Sequence, residues 1–261
     1  MVMPDAVSLI SSNVPGFRWI TATIPKTGNK TSENEDASVS AKNGSRFAIS
    51  DGATEGWESG AWAKQLARAF VACLPTVSTF EEWLAKEQQR WTNHEAKASA
   101  AWYVEEKQSQ GSFATVLGLE IGRSKNMSGW MWRTHAVGDS CLFHVNGGQI
   151  KVAFPVTNVL EFDNLPSLVP SSSACQCPEL LCRTGKAEPG DLLLLTTDAV
   201  AANLLALEDQ PGLELFLNAV RESIRSGDKA QLVNNLRAFQ SVKNDDMTLT
   251  AISFPESPKQ P

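Results

Sequence analysis

Acidic residues stand at the ends of apolar runs at four separated places in the chain. Asp51 ends the run FAIS, Asp198 follows LLLLTT, Asp245 and Asp246 lead into MTLTAISF, and Glu35 and Asp36 precede the alternating ASVSA. A single aspartate in such a place has an ordinary explanation, since aspartate caps helices and opens turns; Asp198 could simply cap the helix AVAANLLAL. Four acidic sites at the mouths of neighbouring buried strands would repel one another, raise their own pKa values and destabilise the fold unless cations sit among them. An oxygen-only set without His or Cys suits Mg²⁺ or Mn²⁺ rather than zinc. Two such ions, roughly 3.5–4 Å apart, can lower the pKa of a bridging water and clamp phosphoryl oxygens during in-line attack.

The elements that must position these carboxylates are legible from hydrophobic periodicity. Strands are expected near 17–24, 37–40 and 46–50, followed by a helix from Trp57 to Leu74 with Ala61, Trp62, Leu66, Ala69, Phe70 and Cys73 on one stripe. Phe80, Leu84, Trp91, Ala98 and Trp102 trace a second helical stripe. Aromatic residues at that spacing, including several of the eight tryptophans, read as helix-to-sheet core rather than a ligand cage. Strands resume in GSFATVLGLEI, GWMWRTHAV and CLFHVNGGQI, a hairpin-like middle of the sheet with a turn at Gly147 and Gly148 and a tight connection at Gly138–Ser140. Residues 155–190, rich in Pro and Ser, read as a flap or excursion, because the sheet is completed only by the leucine strand beyond them. Helices near 199–207, 212–226 and 228–239 and a last strand at MTLTAISF complete an α+β sandwich in one domain, 1–261.

Composition narrows the function. The chain has 261 residues, a formal charge of −6, 42% hydrophobic and 20% charged residues, and no Lys/Arg run, which argues against a nucleic-acid binder. No apolar stretch approaches the roughly 20 residues that span a bilayer, and MVMPDAVSLI lacks the basic start and long apolar stretch of a signal peptide, so a cytoplasmic protein is expected. Cys73, Cys141, Cys175, Cys177 and Cys182 form an odd set without C-x-x-C spacing, and CQCPELLC reads as three loop thiols. His94, on a helix, and His135 and His144, on strands, read as structural.

The ordered set NEDA (34–37), SDGATEG (50–56), GSFAT (111–115), VGDS (137–140), TTDA (196–199) and NDDMT (244–248) resembles the protein phosphatase 2C family, metal-dependent serine/threonine phosphatases. Each motif is weak alone, and six in the family order are a strong joint signal. SDGATEG with its following W-A pair is similar to a bacterial branch of that family. The resemblance implies a four-layer αββα sandwich, two antiparallel sheets flanked by helix pairs, with metals in a cleft at one end. It implies that Asp51 bridges two Mn²⁺ or Mg²⁺ ions, that Asp36 and the carbonyl of Gly52 hold one, and that Asp198 and Asp245 hold the other. Glu35 would act through water, and Asp139 with Asp198 could take a weaker third ion. The implied reaction is attack of metal-activated water on a phosphomonoester, with a phosphoprotein as substrate and a Ser/Thr kinase as counterpart.

Three departures from the family pattern stand out. A histidine often follows the Asp-Gly pair as a proposed proton donor, and Ala53 stands here, leaving Glu55 or water. An arginine often lies five residues before the first metal aspartate to hold the phosphate; that place is Thr31, beside Lys30, which is expected to supply the charge in part. The usual Asp-Asn of the last motif is Asp245-Asp246, whose extra charge either tightens the metal site or faces solvent. Two other classes stay open: a regulatory or binding module without turnover, and a two-metal phosphoesterase acting on a small molecule.

Overall fold

The computed structural model describes residues 16–54, 56–95, 111–123, 129–162, 165–208, 210–239 and 244–254. Its strands are β1 (Arg18–Ile24), β2 (Ala37–Ser40), β3 (Arg46–Ser50), β4 (Phe113–Ala114), β5 (Val116–Gly122), β6 (Trp130–Val137), β7 (Cys141–Asn146), β8 (Gln149–Phe154), β9 (Val169–Pro170), β10 (Leu181–Ala187), β11 (Leu192–Thr196) and β12 (Met247–Ser253). The helices are α1 (Ser59–Ala72), α2 (Phe80–Glu95), α3 (Asp198–Ala206), α4 (Pro211–Ser226) and α5 (Lys229–Phe239). One five-stranded sheet runs β1-β12-β11-β7-β8 and the other β10-β6-β5-β3-β2, all pairings antiparallel. The α+β sandwich expected from the sequence is the fold observed.

The leucine run shows how the layers are made. Successive side chains of a strand point to opposite faces. Leu192 and Leu194 therefore join the core beneath α3, α4 and α5, while Leu193 and Leu195 join Phe47, Ile49, Leu117 and Leu119 between the sheets. A central strand covered on both faces has no polar side to show. On the other flank α1 inserts Trp62, Leu66 and Phe70, and α2 adds Phe80, Trp83, Leu84 and Trp91. Gly118 makes that contact possible, since a Cβ there would lie 2.2 Å from the Phe70 ring.

One expectation changes. Gly138–Ser140 does not close a hairpin: β6 and β7 belong to different sheets, so this turn carries the chain across the sandwich. Within 155–190, Leu181–Ala187 form β10 at the edge of the second sheet, and Val169–Pro170 pair with β4. The second helical stripe holds as far as Trp91, and Ala98 and Trp102 lie outside the described residues. Among the described residues no helix is long and apolar enough to cross a membrane.

Candidate metal centre

The acidic motifs converge because hydroxyl groups from the other motifs tie their backbones together. Asp51 follows β3; its N–H donates to Thr115 Oγ1 (3.1 Å), and Thr115 N–H donates to the Asp51 carbonyl (2.8 Å). Thr115 Oγ1 lies 2.7 Å from Ser140 Oγ, which joins GSFAT to VGDS beside the buried Asp139. Gly138 has φ +96° and its missing Cβ would lie 2.7 Å from Thr115, so this approach requires glycine. Across the cleft, Thr197 Oγ1 donates to Asp36 Oδ2 (3.0 Å) and accepts from Thr248 N–H (3.0 Å). TTDA thereby fixes NEDA and NDDMT at once.

Gly52 is held by close packing as well. A Cβ on Gly52 would fall 2.6 Å from the Ser59 backbone, and one on Gly60 would fall 3.0 Å from Glu35 Cα. The start of α1 thus lies against both the Asp51–Gly52 corner and the Glu35–Asp36 loop.

The electrostatics show how closely the charges are crowded. Burial, followed by the charges of Asp36, Asp198, Asp139 and Asp245, holds the Asp51 carboxyl well above the ordinary carboxylate range. Asp36 is pushed up to about 7, first by burial and then by Asp246 and Asp198, against hydrogen bonds from Thr248 and Thr197. Glu35 is also raised, by burial first; a hydrogen bond from Thr54 and the charge of Lys26 oppose the shift, and Asp246 and Asp245 add to it. Asp36 Oδ1 is buried with no hydrogen-bond partner, an arrangement that ordinarily costs about 1–3 kcal/mol.

An oxygen-only set with one buried oxygen unpartnered, in which burial and then neighbouring acids raise Asp36, Asp51 and Glu35, fits hard divalent cations. Among the described residues no three His, Cys, Asp or Glu side chains are already arranged to hold an ion. That openness and the crowding of charge are compatible, because like charges buried together keep their distance and a cation is what would draw them in.

The remaining residues of the sequence reading fall in distinct places. Asp198 opens α3, its Oδ1 accepting from Ala199 N–H (2.6 Å), while the cap position itself belongs to Thr197, whose hydroxyl is turned to Asp36. Asp245 is half-buried and accepts from Asp246 N–H (3.0 Å). Lys30 and Thr31 are exposed in a 3-10 turn whose first amide, that of Lys30, donates to Glu33 Oε2 (2.7 Å). Ala53 N–H pairs with the Phe113 carbonyl, and Glu55 lies outside the described residues.

Asp246 follows neither sequence alternative. It is buried, and its two oxygens accept the backbone N–H of Lys26 (2.8 Å) and of Glu35 (2.7 Å), so the extra charge clamps two loops. The only sequence signal of this was an aspartate where the family resemblance has asparagine. Lys26 and Thr54, the two groups that oppose the upward shift of Glu35, carried no signal.

No protein-family model and no curated protein matches the sequence. Solved structures do. The *Mycobacterium tuberculosis* serine/threonine phosphatase PstP/Ppp is 15% identical with a TM-score of 0.60, covering 92% of this chain and 99% of its own. A PstP catalytic domain solved with two manganese ions is 15% identical with a TM-score of 0.58, covering 91% and 97%. The PPM Ser-Thr phosphatase MsPP from *Mycobacterium smegmatis* is 18% identical with a TM-score of 0.53, covering 90% and 97%. The chain has the fold of these phosphatases over nearly its whole length.

Proposed function

We propose that this protein is a metal-dependent phosphatase that hydrolyses phosphoserine and phosphothreonine in proteins. The observation that carries the reading is the carboxylate cluster in which burial, and then the neighbouring acids, hold Asp36 and Asp51 above the ordinary carboxylate range, at the end of a sandwich shared with manganese-bound PstP. Asp36 and the Gly52 carbonyl would hold one ion and Asp198 and Asp245 the other, with Asp51 between them, Glu35 reaching through water and Asp139 available to a weaker third. Two Mn²⁺ or Mg²⁺ ions would offset the carboxylate charge and acidify water for attack on phosphorus.

The chain's own part is preorganisation. Thr115 and Ser140 fix the Asp51 corner, and Thr197 fixes Asp36, so the acceptors keep their places while charge shifts during the reaction. A kinase that installs the phosphomonoester and a cytoplasmic setting belong to the same proposal.

Ala53, in the place of a proton donor, favours a second reading as a regulatory module that binds a phosphoprotein without turnover. Hydrolysis of an aryl phosphate and of phosphopeptides, measured with Mn²⁺ and with excess chelator, decides between them. Metal-dependent turnover that prefers phosphopeptides to nucleotides and sugar phosphates supports the phosphatase reading; no turnover with Mn²⁺ rejects it.

A further inference from the structure

A phosphate dianion entering a carboxylate-rich cleft needs a cation beside the metals to fix its outward oxygens. The described cations nearest in sequence are Lys26 and Lys30, and the structure treats them differently. Lys30 sits in an exposed turn that closes on itself through Glu33. Lys26 follows Pro25 at the end of β1 and is half-buried. Its backbone is clamped: Lys26 N–H reaches Asp246 Oδ1 (2.8 Å), and the next amide, Thr27 N–H, reaches Asn244 Oδ1 (2.8 Å). The other Asp246 oxygen accepts the N–H of Glu35 (2.7 Å), so one buried carboxylate holds Lys26 and the edge of the candidate metal centre side by side.

We infer that Lys26 supplies the cation that receives the substrate phosphate, and that Asp246 is the positioning residue that holds it beside Glu35. The inference rests on the phosphatase reading. Lys26 makes no ion pair among the described residues, and its charge reaches Glu35, where it opposes the effect of burial. Its backbone is thus held beside Glu35, and its charge acts at the edge of the centre with no ion pair among the described residues. An asparagine at 246 has a single side-chain acceptor and could hold only one of the two amides, which gives the aspartate here a use.

The test combines kinetics on a phosphopeptide with calorimetric titration of inorganic phosphate into the Mn²⁺-loaded protein. Lys26→Ala is expected to raise KM and the phosphate dissociation constant together, by about fivefold to tenfold, with kcat changed by less than about threefold, as for lost ground-state binding. Lys26→Arg should restore both to within about twofold, since the charge is kept and a fork of donors added. Asp246→Asn should move both constants in the same direction by less, and adding it to Lys26→Ala should produce little more, because the two act as one unit. The Mn²⁺-induced rise in melting temperature should be unchanged in Lys26→Ala. Wild-type constants in Lys26→Ala, or a larger effect from Lys30→Ala, overturn the inference and leave the phosphatase reading standing. A wild-type protein that hydrolyses no phosphomonoester overturns that reading instead, and the phosphate titration then decides Lys26 in either direction.

Discussion

At the entry to β11, Asp191 is 2% exposed and every oxygen is used: His144 Nε2 lies 2.7 Å from Oδ2, which also accepts Glu188 N–H (2.9 Å), and Asn146 donates to Oδ1 (2.5 Å). At the exit of the same strand, past Thr196, Asp36 and Asp198 are also buried, yet Asp36 Oδ1 has no hydrogen bond and its carboxyl is pushed up to about 7. One strand thus has a fully hydrogen-bonded acid at one end and a cluster of neighbouring acids at the other. A buried acid that serves packing is given its donors by the protein. A buried carboxylate oxygen left without a donor among neighbouring acids, as Asp36 Oδ1 is, suits a counter-charge from outside the chain.

The largest expected effect breaks the satisfied end. Asp191→Ala leaves two side chains and an amide without their acceptor and should lower folding stability by about 3 kcal/mol, as read by denaturant titration. Turnover per folded molecule should not change. At the other end the costs should be reversed. Asp51→Asn should lower the Mn²⁺-dependent rate a hundredfold or more, about 2.7 kcal/mol of barrier at a hundredfold, while the metal-free protein keeps its stability. An Asp51→Asn protein that is equally active, or an Asp191→Ala protein that is selectively inactive, would remove the distinction between the two ends.

A pH series sharpens the contrast. The folded pKa values of Asp36 and Asp51 lie above their unfolded values, so between about pH 4 and pH 7 the folded state binds more protons than the unfolded state. Stability of the metal-free protein should therefore be greatest near pH 4 as far as these groups decide it, and should fall as pH rises from about 4 to about 7, as read by denaturant titration. Saturating Mn²⁺ should flatten or reverse that slope, because the ionised carboxylates then have their counter-charge. A metal-free protein with the same slope as the Mn²⁺-loaded one would contradict the crowding of charge. Smallest is Asp139→Asn, expected to lower activity at limiting Mn²⁺ by about fivefold, ~1 kcal/mol, and less at saturation. An equal loss at all Mn²⁺ concentrations would remove Asp139 from the ion sites.

How much of this could be read from the chain follows the same division. The strands near 17–24, 37–40 and 46–50, the helices and the acidic ends were visible because periodicity and charge are local properties. The strand β10 was hidden, since an edge strand carrying Cys182, Arg183 and Lys186 has no alternating apolar face, and Gly185 is needed only because a Cβ there would lie 2.2 Å from Trp132. The crossing at Gly138–Ser140 looked like a hairpin because which sheet a strand joins depends on packing far away in sequence. Asp246 and Lys26 escaped for a related reason: the Asp246 carboxylate accepts from the backbone amide of Lys26, 220 positions away, and an amide leaves no trace in residue type.

Calorimetric titration of Mn²⁺ into the wild-type protein and Asp51→Asn at neutral pH tests the central claim most directly. Saturable binding of two ions per wild-type chain is expected, accompanied by release of protons from the raised carboxyls, with loss of most of that binding in Asp51→Asn. No saturable binding to the wild type, or the same isotherm in Asp51→Asn, would contradict it.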